Sequence, residues 1–235
     1  MKKMLLLAGI ATVAFSVHAN ACDWKPYISA KLTASQLSVN TSGRYVGDGF
    51  IEKSLNSGDE TQHVWGTSFA AGAASGAIRT EIEWHRNTAA RMSDTNSTIN
   101  AILGNTVETG KAKIKTDALL LNAYYDFETD SAFTPYVGAG IGYAKTKITQ
   151  SRYVSWALEG FDKATNSHTN FAWQIGAGIA YALNDHVSID VGYRYIDYGK
   201  FNVKNYVDEG WRDGIRRTSY EVTENELYAG IRYSF

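Results

Sequence analysis

The sequence predicts an all-β fold, a transmembrane antiparallel up-and-down β-barrel of about eight strands, and three observations predict it. Apolar and polar residues alternate through successive segments, each of about ten residues, the length a tilted strand needs to cross a bilayer. The connections between these segments are short and long in turn. The C-terminal stretch ELYAGIRYSF, residues 226–235, keeps its alternation to the last residue. Chain ends are ordinarily frayed, so a terminal strand this regular is expected to be paired on both sides, as closure of a cylinder requires.

Composition agrees with this class and excludes others. Lys2 and Lys3 precede an apolar run from Met4 to Val17, and Ala19-Asn20-Ala21 supplies a small-residue cleavage site. That layout predicts a signal peptide over 1–21 and a barrel domain over 22–235, outside the cytoplasm. The run is too short to span a bilayer, and no later apolar run is long enough for a transmembrane helix. Cys22 is the single cysteine, so no intramolecular disulfide forms. Its position after Ala21 raises a lipid-anchored reading, which the missing upstream leucine does not support. A net charge of −1 carries no nucleic-acid footprint. The 21 Gly, 15 Tyr and 6 Trp beside 2 Pro suit strands and turns.

The elements follow in order. KPYISAKLTASQ sets Ile28, Ala30, Leu32 and Ala34 against Ser29, Lys31 and Thr33. VWGTSFAAGA sets Trp65, Phe69 and Ala71 against Gly66, Ser68 and Gly72. IRTEIEWHR sets Ile78, Ile82 and Trp84 against Arg79, Glu81, Glu83 and His85. TDALLLNAYYDF, PYVGAGIGYAK, FAWQIGAGIAYA and VSIDVGYRYIDY repeat the pattern, and the terminal stretch is the eighth. Short joins lie at Ser75-Gly76, Glu128 to Thr134 and Leu183-Asn184-Asp185. Long polar connections lie near 38–62, 87–111, 147–169 and 199–219. Short turns on one side and four long loops on the other describe a barrel in the outer membrane of a Gram-negative bacterium, with turns in the periplasm and loops outside.

On the terminal Tyr233-Ser234-Phe235, on NAYYDF at 122–127 and on PYVGAGIGYA at 135–144, the chain resembles the small eight-stranded outer-membrane barrels of the OmpA-like and opacity-protein type. The resemblance covers the whole mature chain. It implies that Ile231, Tyr233 and Phe235 form the signal read by the barrel-assembly machinery, and that adhesion or surface-antigen roles fit best. Larger OmpA-like members carry a periplasmic peptidoglycan-binding domain after the barrel, and none is expected here.

Several motifs invite other chemistry. GAGIG at 138–142 and GAGIA at 176–180 lack the helix a phosphate-cradling loop opens; they read as inward glycines that admit bulky side chains from the opposite wall. His186 and Ser188 have the spacing of a base and nucleophile in outer-membrane lipid-A deacylases, but they fall in a periplasmic turn and inside the barrel, away from lipid. His18, His63, His85, His168 and His186 show no metal-ligand spacing, and no cofactor site is expected.

Two sets of residues remain as candidates. In the third long loop Tyr153, Trp156 and Phe161, and in the fourth Tyr206, Trp211 and Arg212, read either as a binding surface or as rings packed on one another above the membrane. Inside, charges need partners. Asp190 with Arg232 and Arg194 with Glu226 fit one antiparallel register to within two residues. Lys31, Arg79, Glu81 and Glu83 share their inward parity, so the set reads as a plug that closes the lumen, with a transient gate as the alternative. A lumen just wide enough for side chains argues against a porin. The leading function is a non-enzymatic, monomeric surface protein, whose barrel sits among outer-membrane lipid and lipopolysaccharide and anchors loops that contact a host or cell-surface ligand. A lipid- or peptide-modifying enzyme and a small channel are the alternatives.

Overall fold

The computed structural model describes residues 24–47, 52–100, 104–154, 162–208 and 213–235; the leader and Cys22 lie outside them. The described residues form nine strands: β1 (Lys25–Gly47), β2 (Glu52–Ser75), β3 (Ile78–Asn87), β4 (Ala90–Asn100), β5 (Gly104–Asp126), β6 (Phe133–Val154), β7 (Asp162–Ala182), β8 (Val187–Asp208) and β9 (Asp213–Ser234). All the ladders are antiparallel. β9 pairs with both β8 and β1, and β3 closes the ring between β2 and β5. β4 continues β3 past Thr88-Ala89, so the wall has eight staves.

The strands are far longer than the alternation of apolar residues indicated. Apart from the divided stave, they run 21 to 24 residues, whereas about 9–11 suffice to cross a bilayer. The stretches near 38–62, 87–111, 147–169 and 199–219, read as loops, are therefore mostly strand. The connections 48–51, 101–103, 155–161 and 209–212 lie outside the described residues. The short turns fall where expected. Gly76 takes the left-handed backbone, with φ of 54°, that the tight β2–β3 turn requires, and the Asn184 side-chain oxygen accepts the backbone N–H groups of His186 and Val187 at 2.9 Å.

In the membrane half, the outward row is apolar. Tyr125, Phe133, Tyr181 and Tyr233 form one aromatic girdle near the turns, and Trp65, Tyr143, Phe171 and Trp173 form a second at the far edge, all exposed to the surroundings. The inward row is polar. Beyond the second girdle this arrangement reverses. Gln36, Asn40, Lys113, Lys147 and Thr165 point outward, while Leu37, Val39, Ile114, Ile148, Ile196, Phe201 and Val222 are buried together.

Two one-residue bulges lie at this boundary. Between Arg86↔Asp117 and Ala90↔Ile114 the β3–β4 stave carries one residue more than β5. Between Asp197↔Thr223 and Lys200↔Glu221, β8 carries one more than β9, with Gly199 at φ of 79°. Bulges bend a strand and end its pairing. The β2–β3 ladder stops at Gly66↔Asn87 and the β7–β8 ladder at Trp173↔Asp197, and among the described residues neither seam is bridged further out by a ladder. The outer half is thus two four-stranded sheets, β2-β1-β9-β8 and β4-β5-β6-β7, enclosing an apolar core.

Candidate functional site

The lumen of the membrane half is filled by large side chains seated on glycines of the neighbouring strand. Tyr27 lies opposite Gly72, Tyr124 opposite Gly138, Tyr136 opposite Gly178 and Tyr228 opposite Gly192. A Cβ on Gly178 would come within 2.6 Å of the Tyr136 ring, and one on Gly138 within 2.2 Å of the Tyr124 ring. The glycines therefore receive bulk from the adjacent strand rather than from the opposite wall, because a ring on a narrow barrel folds across its own ladder.

Between these rings lie the eight charges singled out by parity, none more than 9% exposed. Lys31 Nζ sits between Glu81 and Glu83 at 2.9 and 3.0 Å. Arg194 donates through Nε to Glu226 at 2.6 Å, and through Nη1 to Glu83 at 2.6 Å and Gln174 at 2.9 Å. Asn122 donates to Glu83 at 3.0 Å, and the hydroxyls of Tyr27 and Tyr124 donate to Glu81 at 3.0 and 2.8 Å. Nearer the turns, Arg79 pairs with Asp126 at 2.7 Å, its guanidinium 4.8 and 4.7 Å from the ring centres of Tyr124 and Tyr136. Buried ions of opposite sign in such geometry offset the cost of leaving water.

One register detail differs from expectation. Arg194 stands directly opposite Glu226, but Asp190 stands opposite Gly230 and Arg232 opposite Ser188. Arg232 reaches Asp190 on the diagonal, at 3.5 Å. The long guanidinium arm spans the two-residue offset that the numbering showed.

His85, Glu224, Asn87 and Tyr198 extend the network and were not among the predicted members. Glu224 accepts from Asn87 at 2.7 Å and from the Tyr198 hydroxyl. His85 Nε2 lies 3.4 Å from Glu226 and 3.8 Å from Glu224, so the three groups have the spacing of metal ligands that the histidine pattern in the sequence lacked. The other ring nitrogen decides how they read. Nδ1 is 3.2 Å from Arg194 Nη2, which can only donate, and 2.9 Å from the Ser68 hydroxyl. Nδ1 therefore accepts, and the ring proton sits on Nε2, facing the carboxylates as a hydrogen-bond donor would. Glu224 shares the inward parity of Glu226, the one signal that marked it in the sequence.

The other candidates are placed as follows. Tyr153 and Tyr206 lie in β6 and β8, opposite Thr109 and Ile215; Trp156, Phe161, Trp211 and Arg212 lie outside the described residues. Ile231, Tyr233 and Phe235 all face outward, with the rings of Tyr233 and Phe235 edge-to-face at 5.2 Å. The ring of His186 lies 5.9 Å from that of Tyr233, and its Nδ1 is 3.0 Å from the Ser234 carbonyl, so its hydrogen bond goes to the backbone and not to Ser188.

A family model described as "Outer membrane protein beta-barrel domain" matches residues 5–235. The outer membrane protein PagN of Salmonella typhimurium is 34% identical over 131 residues, which cover 53% of this chain and 52% of that protein. A Rickettsia conorii protein named as a candidate adhesin is 30% identical over 118 residues, covering 49% of this chain and 47% of that one. The chain spans about half the length of the curated relatives it matches. The crystal structure of the outer membrane protein OprG from Pseudomonas aeruginosa covers 88% of this chain and 95% of its own, with 15% identity and a TM-score of 0.51, a likeness of fold.

Proposed function

The chain belongs to the outer-membrane β-barrel domain family, and from that membership we propose that it is a non-enzymatic, monomeric adhesion protein of the cell surface. A cleaved leader over 1–21 directs it there, and Ile231, Tyr233 and Phe235 present the terminal strand to the assembly machinery. The barrel over 22–235 anchors it among outer-membrane lipid and lipopolysaccharide.

The observation that carries this reading is the outer half. Strands twice as long as a bilayer needs, held by their own apolar core, make a stalk that lifts the four connections clear of the membrane. Binding segments on a rigid scaffold are a common way to carry recognition. The names of the relatives point the same way, PagN as an outer membrane protein and the Rickettsia protein as a candidate adhesin. The ligand is a host or cell-surface molecule met by residues near these tips, Tyr153, Trp156, Phe161, Tyr206, Trp211 and Arg212 among them.

The test is adhesion to cultured host cells by a non-adherent bacterium expressing the protein, with 48–51, 101–103, 155–161 and 209–212 each replaced by a short Gly-Ser link. Loss of adhesion at unchanged surface abundance supports the reading. Wild-type adhesion by all four variants overturns it.

A further inference from the structure

The apolar belt ends differently on the two sides of the barrel. On β3, β5 and β6 its last row is Trp84, Leu119 and Tyr143, in register with one another. The next outward row is Arg86, Asp117 and Lys145, again in register. One step further out Lys115 stands directly opposite Lys147, and beyond it Lys113 stands opposite Arg91 on β4. These cations are all exposed. On β1, β7, β8 and β9 the outward positions just past the belt are neutral or acidic, Gln36, Thr169, Asp197 and Asn225, and on β2 the position is His63.

Like charges directly opposite on a ladder repel. Asp117, the acid among the described side chains of that face, is already engaged by Arg86. The remaining cations therefore call for anions from outside the protein, at the height where the membrane ends. A cavity of about 380 Å³ opens at the same place, at the β3–β4 bulge, with Leu32 and Trp65 on one side and Arg86, Thr88 and Lys115 on the other. Arg86 is held there over the Trp84 ring, 5.1 Å from its centre. An apolar wall beside Lys115 and the Asp117-paired Arg86, flush with the edge of the belt, matches a ligand that is itself an acyl chain joined to a phosphate.

We propose that this face of β3–β6 binds the phosphate groups of lipid A in the outer leaflet, with the bulge cavity seating the junction between phosphate and acyl chain. The inference rests on the outer-membrane placement and not on adhesion, which concerns the tips.

The test uses purified, folded protein in detergent, with retained lipid counted by native mass spectrometry. The probes are bis-phosphorylated lipid A, its dephosphorylated form and inorganic phosphate. The wild type retains the phosphorylated lipid in preference to the dephosphorylated one, and inorganic phosphate at equal phosphate concentration does not displace it. The Lys113→Gln/Lys115→Gln/Lys147→Gln variant binds the phosphorylated lipid at least about tenfold more weakly, while Lys200→Gln, on β8, binds as the wild type does. Equal retention of the two lipids by the wild type, displacement by inorganic phosphate, undiminished binding by the triple variant, or an equal loss in Lys200→Gln overturns the proposal. The two-lipid comparison needs only the wild type, so it decides even where the triple variant does not fold. Adhesion lost on replacing the tips leaves the lipid result standing, and the reverse holds as well.

Discussion

The two halves of this barrel use the same period-two strands with opposite chemistry turned inward, polar below and apolar above. Below the bulges, Ile28, Ala30, Leu32 and Ala34 of β1 face lipid while Lys31 faces the lumen; above them, on the same strand, Leu37 and Val39 face inward and Gln36 and Asn40 outward. The strand has not turned over; its surroundings have changed. In hydrocarbon an outward charge is costly and an inward one is tolerated if paired. In water the apolar row is the one driven inside. The lesson is that one half is held by paired charge and the other by buried hydrocarbon, so the two should break in different ways.

The largest expected effect is in the lower half. Arg194→Ala leaves Glu83 short of a partner and Glu226 without its guanidinium, and should cost about 3–5 kcal/mol. Urea unfolding in lipid vesicles, followed by tryptophan fluorescence, reads this as a lowered midpoint. An unchanged midpoint would mean that the network contributes nothing to closure.

Truncating the upper core should cost somewhat less and in a different place. Leu37→Ala is expected to lose about 2–4 kcal/mol, felt as faster amide exchange in residues past the bulges. The shift in gel mobility between boiled and unboiled samples, which reports the closed lower barrel, should persist. Loss of that shift would show that the halves do not open separately.

Gly178→Ala puts a methyl group into the Tyr136 ring and should cost about 1–3 kcal/mol, recovered in part when Tyr136→Leu is added. A variant as stable as the wild type would show that the ring can move aside.

The smallest effect on stability is expected from deleting Phe235, whose backbone N–H donates to Pro26 at 3.0 Å; a hydrogen bond of this kind is worth about 1 kcal/mol. Refolding in lipid should survive, whereas surface abundance in cells should fall if, as proposed, the assembly machinery reads the terminal aromatic. Normal abundance would remove that role from the terminal aromatic.

The lower half was legible because lipid imposes a simple rule. Every second residue must be apolar, so parity alone placed Lys31, Arg79, Glu81, Glu83, Asp190, Arg194, Glu226 and Arg232 on one face. The upper half was hidden by the same rule. Read in the membrane phase, Leu37, Val39, Ile114, Ile148 and Val222 look like stray apolar residues in polar loops; read one residue out of phase, they are a core. Glu224 stands outside the eighth segment, whose apolar alternation starts at residue 226, so only its parity marks it.

By itself the sequence determined the all-β class, the short-turn and long-connection alternation, the closing role of the last strand and the inward set of charges. These follow from local period and composition, which a single strand carries whatever its neighbours do. Only the tertiary structure decided where the phase reverses, how two one-residue bulges part the wall into two sheets, which glycine receives which tyrosine, and that His85 joins Glu224 and Glu226. Each depends on register between strands distant in sequence, and a slip of one residue would turn every one of those side chains to the other face.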